Sequence, residues 1–147
     1  MNKTWEIRRA IASILRDIHP RVYYERAPDR ARFPYVVFLL TAFNDGELER
    51  FVLDVDGWDA PADADTTALE ELMNAVDYAL HKRVVNVRPS GCFLAPCQWN
   101  ASDSQAGVSF VIYRDRRLVP EDDDARIRRR RYSYEVRTFE NRRDYHG

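Results

Sequence analysis

The side chains able to do chemistry are few and scattered. His19, His81 and His146 stand far apart, and none lies at a spacing that would let it share a metal ion with another ligand. They read as surface or helix-end residues. Cys92 and Cys97 have no second pair to complete a zinc site, so buried thiols on a strand are expected. The segment Asp54-Val55-Asp56-Gly57-Trp58-Asp59 invites a calcium reading. A calcium loop needs an oxygen ligand at its fifth position and glycine at its sixth; counted from Asp54, those positions hold Trp58 and Asp59. Aspartates alternating along the solvated face of a strand near a sheet edge are the plainer expectation. A nucleophile with a flanking base and the common phosphate-binding glycine loops do not occur. The chain therefore reads as a non-enzyme, with no cofactor and no metal.

What remains is charge. Arg128-Arg129-Arg130-Arg131 runs directly into Tyr132 and Tyr134, with the acidic run Glu121-Asp122-Asp123-Asp124 just upstream. Taken alone, four arginines beside two aromatic rings suggest phosphate contact with stacked bases. The acidic run points the other way, toward local cancellation on a solvated strand start. Between these lies a third reading, in which alternating charges meet a neighbouring protein subunit and set its register.

These residues must be positioned by secondary structure. Ile7, Ile11, Ile14, Leu15 and Ile18 form one apolar stripe at helical spacing, with Thr4 as N-cap, Glu6 in the first turn and Pro20 as the stop. A short strand follows at residues 21–24. Tyr35 to Phe43 is too continuously apolar for a half-solvated strand and is expected at the centre of a sheet, with Pro34 at its start. Asn44-Asp45-Gly46-Glu47 carries hairpin-turn chemistry, and the return strand from Leu48 to Trp58 alternates Phe51, Leu53 and Val55 with Arg50, Asp54 and Asp56. Thr67 and Glu70 have capping-box spacing ahead of a second helical stripe, Leu69, Leu72, Met73, Val76 and Leu80, closed by the cationic His81-Lys82-Arg83. Strands are then expected at 84–88, 92–99 and 108–114, followed by the final one that begins with the arginines. The predicted class is α+β: a single mixed, mainly antiparallel β-sheet with two α-helices packed on it.

At 147 residues the chain is sized for one domain, 1–147, with 140–147 as an extended or partner-dependent end. Hydrophobic residues make up 45% and charged residues 32%, which argues against wholesale disorder. The longest apolar run, Tyr35 to Leu40, is far short of a membrane helix, and the N-terminus lacks the apolar region of a secretory signal. Residues 1–113 hold 12 basic against 16 acidic side chains, and residues 114–147 hold 11 against 8. That imbalance is far milder than the surplus of a dedicated nucleic-acid binder. Nearly all the cations are arginines, which favour planar pairing with carboxylates.

The amphipathic first helix, the Val22-Tyr23-Tyr24 strand, "FPYVVF" at 33–38, "VLDVDGWD" at 52–59 and "ALEELMNAVDYALHK" at 68–82 together resemble the phage tail completion (tail terminator) proteins of long-tailed bacteriophages. The likeness covers residues 5–85 and, more loosely, the last strand; it rests on order and pattern. It implies a small structural virion protein at the head–tail junction, made in the host cytoplasm, that closes into a homo-hexameric ring. Such a ring caps the tail tube, ends its polymerisation and docks the head-closure protein, while DNA passes through the lumen without sequence specificity. The family supplies no catalytic residue, and the acidic loop 121–124 has no counterpart in it. A head-closure or adaptor protein of the same neck is the nearest alternative. From another class, a small nucleic-acid-binding module would use the arginine run. On the ring reading, segment 126–139 is expected as an edge strand at an interface formed by Arg128, Arg129, Arg130, Arg131, Tyr132 and Tyr134.

Overall fold

The computed structural model describes residues 3–45, 48–87, 108–122 and 124–140. They form α1 (Lys3–Ile18), β1 (Val22–Tyr24), β2 (Tyr35–Asp45), β3 (Leu48–Asp59), α2 (Thr67–Leu80), β4 (Arg83–Val87), β5 (Val108–Leu118) and β6 (Arg128–Glu140). The six strands make one sheet in the order β1-β2-β3-β6-β5-β4. Only the β1–β2 pair is parallel. This is the expected α+β arrangement, with both helices contributing to one apolar cluster against the sheet.

The helical stripes fold as their spacing requires. Ile7, Ile11, Ile14 and Leu15 of α1 are buried, as are Leu69, Met73, Val76 and Leu80 of α2. Their ends differ from expectation. Helix α1 already includes Lys3, so Thr4 lies inside it and does not cap it. At α2, Thr67 is the first helical residue, and the carboxylate that receives its backbone N–H (2.9 Å) and its hydroxyl (2.6 Å) belongs to Asp65. The Thr67–Glu70 capping box does not form, because Thr67 is already inside the helix and Thr66 holds the cap position; Glu70 is engaged by a strand arginine described below. The C-terminal signal holds in altered form. Lys82 turns the chain with a φ of 65°, and the Arg83 guanidinium reaches back to the Ala79 carbonyl at 3.4 Å.

Strands β2 and β3 pair from Tyr35 opposite Trp58 to Asp45 opposite Leu48. Asn44 and Asp45 therefore belong to the strand; Gly46 and Glu47, the rest of the expected turn, lie outside the described residues. On β3 the core-facing row is Phe51, Leu53, Val55 and Gly57, and Gly57 lets α2 approach closely. A Cβ there would lie 2.6 Å from the Met73 sulfur and 3.1 Å from Leu69 Cδ1. Strand β5 runs four residues beyond its expected end at Arg114, passing a register shift between Arg114 and Arg116. The strand expected at 92–99, with Cys92 and Cys97, lies outside the described residues, as do the 89–91 turn, the 140–147 tail beyond Glu140, and His146.

Candidate functional site

The strand that carries the arginines is not an edge strand. Lying between β3 and β5, β6 is hydrogen-bonded on both sides, so the expectation of an exposed edge at 126–139 is overturned. The arginines are also no mere prelude to the strand: all four lie within it. Strand alternation then sends them to opposite faces. Arg129 and Arg131 stand on the face away from the helices, while Arg128 and Arg130 share the row that continues into Tyr132 and Tyr134 on the core side.

On the open face, Asp56 of β3 is the organising residue. Its carboxylate is only 7% exposed and receives Arg131 Nε at 2.8 Å, Arg131 Nη2 at 3.0 Å and Arg129 Nη2 at 2.7 Å. Hydrogen bonding to that carboxylate is the main cause of the raised Arg131 pKa. Asp54, two residues earlier, accepts from the Ser133 hydroxyl at 2.6 Å. The expectation that these aspartates line a solvated, edge-ward strand is thus corrected. β3 is an interior strand, and the buried Asp56 carboxylate on its open face persists because arginines from the next strand compensate it. Farther along, Arg50 and Arg137 meet Glu135 at 3.5 and 3.0 Å.

Beside this ladder lies an aromatic row. Phe33 stacks on Tyr35 (centroids 5.2 Å apart), Tyr35 stacks on Trp58 (6.0 Å), and the Arg129 guanidinium lies over the Trp58 ring at 4.5 Å. Burial, with the Asp122 carboxylate as a second cause, raises the Tyr35 pKa. Trp58 Nε1 and Arg129 Nε are buried without an acceptor among the described residues.

On the helix side, Arg130 donates to Glu70 of α2 at 2.5 Å, and Arg128 donates to the Ala125 carbonyl that precedes the strand. Tyr132 and Tyr134 are 4% and 1% exposed, so neither ring is available to stack on a base or to touch a partner. The Tyr134 hydroxyl instead donates to Asp77 of α2 at 2.9 Å, and the same carboxylate receives Arg114 Nη1 at 2.6 Å and Arg117 Nη2 at 3.2 Å. Burial first, and this hydrogen bond second, push the Tyr134 hydroxyl well above the usual phenol range. Sequence reasoning missed this cluster, although a signal existed: Asp77 follows Met73 by four residues and Val76 by one, on the buried stripe of α2.

Among the described residues, the acidic loop makes no ion pair with the arginine run 128–131. Asp124 receives the backbone N–H and the guanidinium of Arg126, which holds its pKa down at about 2. Across a cavity of about 500 Å³, this loop faces the small-residue linker that enters α2, with Ala60, Pro61, Ala62 and Ala64 on one wall and Asp124 to Arg128 on the other. His19 and His81 sit just past the two helices, as expected. The His19 Nε2–H donates to the Pro34 carbonyl at 2.9 Å, and His81 Nδ1 accepts the Arg114 backbone N–H at 2.9 Å. Among the described residues no group of acidic, histidine or cysteine side chains is arranged to hold a metal ion, and no helix is long and apolar enough to cross a membrane.

No family model and no curated protein matches the chain. Among solved structures, a chain from the virion of a native gene transfer agent particle has the same fold, with a TM-score of 0.58 at 14% identity. The match covers 92% of this chain and 96% of that one.

Proposed function

We propose that this chain is a structural protein of a phage-like virion and acts at the head–tail junction as a tail terminator. Copies close into a homo-hexameric ring that caps the tail tube, stops its growth and docks the head-closure protein. DNA crosses the lumen without sequence-specific contact. One observation carries the reading: the likeness to a chain of the gene transfer agent virion spans nearly the whole of both chains, so it involves the whole fold and not a shared motif. The order of elements seen in the sequence, which resembles tail terminators, supports the finer assignment.

The charge distribution is compatible with that role. A sheet face whose arginines are already matched to Asp56 and Glu135 attracts DNA only weakly. We assign Arg128, Arg129 and Arg131, with the neighbouring Phe33, Tyr35 and Trp58, to contact with an adjacent subunit, and Tyr132 and Tyr134 to supporting that surface from within. The test is solution mass combined with negative-stain imaging of the purified protein and of tails assembled in its presence. Closed rings at the end of the tail tube are the expected result. Rings bound only on the head side would favour a head-closure protein instead, and a chain that stays monomeric both alone and with tail tubes would overturn the reading.

A further inference from the structure

We infer that the recess beside Arg128 receives the outer face of helix α2 from the next copy of this chain. The inference rests on the ring reading above and names what the adjacent subunit brings to the surface that holds Arg128 and Phe33.

The recess is the cavity of about 500 Å³ between the linker into α2 and the segment leading into β6. Its walls are small or apolar at Phe33, Pro61, Ala62, Ala125 and Ile127. The charged groups that line it differ in what they hold. Arg126 closes on Asp124 at 3.0 Å, so that pair is satisfied within its own loop. Arg128 forms no ion pair among the described residues. Its Nη1 donates to the Ala125 and Ile127 carbonyls, and its Nε and Nη2 meet no acceptor there. Asp59, its register partner on β3, instead accepts the Ala60 backbone N–H at 2.8 Å. Arg129, Arg130 and Arg131 all end on carboxylates of their own chain. Of the run of four, Arg128 is the one left to grip a carboxylate from outside. A recess with apolar walls and one unmatched cation suits an apolar side chain accompanied by an acid.

Helix α2 presents that combination. Opposite its buried stripe, Glu71, Asn74, Ala75 and Tyr78 stand exposed at i, i+3, i+4 and i+7, the spacing by which a helix fills a groove. An amphipathic helix ordinarily keeps this side polar. Tyr78 is nevertheless 92% exposed, the most of any large hydrophobic side chain among the described residues, with Val119 next at 68%. Glu71, two turns away and about 10 Å along the axis, forms no ion pair among the described residues. The helix thus offers the Tyr78 ring to the recess and the Glu71 carboxylate to Arg128. It does so for another copy: Tyr78 lies roughly 16 Å along the axis from the first residue of α2, and the recess lies beyond that end. The helix face and the recess have no residue in common. A contact between them is therefore heterologous, the geometry that closes rings instead of two-fold dimers.

The experiment uses the full chain as wild type, Tyr78→Ser, Glu71→Arg, Arg128→Glu and an exchanged form carrying both Glu71→Arg and Arg128→Glu. Ring content is followed by sedimentation and negative-stain imaging. Glu71 and Tyr78 are exposed, so circular dichroism is expected to match wild type for those two variants. Each single variant is expected to need about tenfold more protein for half assembly, and the exchanged form to return toward wild type. Recovery is the decisive result, because every interface of the exchanged ring again sets an acid against a base. Rings of wild-type strength from Tyr78→Ser or Glu71→Arg, or no recovery in a folded exchanged form, would overturn the inference while the ring itself stands. Arg128→Glu also removes the bond to Ala125, so a disulfide covers the case in which it does not fold. With Cys92→Ser and Cys97→Ser as background, Ala62→Cys combined with Tyr78→Cys is expected to give ladders of oxidised, linked copies that neither single cysteine gives. Rings without such ladders would overturn the inference. A wild-type chain that never forms rings, alone or on tail tubes, would remove the ring reading and this inference with it. If Arg128→Glu kept its rings but lost affinity for duplex DNA, the recess would be a phosphate site and the inference would fall.

Discussion

Arg131 grips Asp56 with two parallel hydrogen bonds, Nε to one carboxylate oxygen and Nη2 to the other, at 2.8 and 3.0 Å across the β3–β6 pair. Arg129 adds a third bond at 2.7 Å. Removing the shared acceptor therefore strands two cations on one sheet face. Asp56→Ala is expected to cost about 2–4 kcal/mol, below the range for a fully buried pair because Arg131 reaches solvent. Arg131→Ala should cost roughly 1 kcal/mol, since Arg129 still covers the carboxylate. Urea unfolding midpoints check both, and a smaller loss for the aspartate than for the arginine would contradict the shared-acceptor arrangement.

The Asp77 cluster gives a second pair of outcomes. Tyr134→Phe removes one donor of three and should cost about 1 kcal/mol. Asp77→Ala leaves Arg114 and the buried Tyr134 hydroxyl without their acceptor and is expected to cost about 3 kcal/mol. Thermal melts of the two variants should fall in that order, and near-equal effects would show that the hydroxyl, not the carboxylate, anchors α2 to the sheet.

Gly57 tests the closeness of helix and strand. A methyl group there meets the Met73 sulfur at 2.6 Å, and fully buried Met73 has little room to retreat. Gly57→Ala is expected to destabilise by about 1–2 kcal/mol, with Gly57→Val worse. Combining Gly57→Ala with Met73→Ala should cost less than the sum of the single changes, as measured by a double-mutant cycle.

Alkaline pH should unfold the protein through its tyrosines. Burial raises the pKa of Tyr134, and also those of Tyr132 and Tyr35, above the ordinary phenol value. For a group whose pKa is raised by folding, the stabilisation is complete below the unfolded value of about 10 and is lost as pH climbs past it. The melting temperature is therefore expected to hold up to about pH 10 and fall beyond it, less steeply in Tyr134→Phe. Absorbance at 295 nm should show these tyrosines ionising together with unfolding; ionisation of all eight tyrosines near pH 10 with native circular dichroism would refute the burial account.

Much of this architecture was legible in the sequence, and its failures share one cause. Both helices, the β2–β3 hairpin and the buried rows announce themselves by period, because burial of apolar side chains repeats with the geometry of the element. Strand β5 was expected to end at Arg114 because Asp115-Arg116-Arg117 has no apolar alternation. It continues through its ladder with β6 and the salt bridges of Arg114 and Arg117 to Asp77. The partners of the arginines were equally hidden. Asp56 lies 73 residues from Arg129 and 75 from Arg131, Glu70 lies 60 from Arg130, and Asp77 lies 37 from Arg114 and 40 from Arg117, and no local pattern encodes such pairings. The same pairings change what mutagenesis can separate. Reversing Arg130 would set a negative charge against Glu70, so a variant reversed at Arg128 and Arg130 would lose stability as well as any partner contact.

The position of β6 bears on how the chain is made. The last of the described strands is inserted at the middle of the sheet, joining β2–β3 to β4–β5. Until it emerges, β3 and β5 each present an unsatisfied edge, and the growing chain holds two unjoined halves. Pairing Phe51 with Val136 must bring together residues 85 apart, a non-local step of the kind that slows folding. A product truncated before Arg128 is expected to be aggregation-prone, which light scattering of the truncated chain would show.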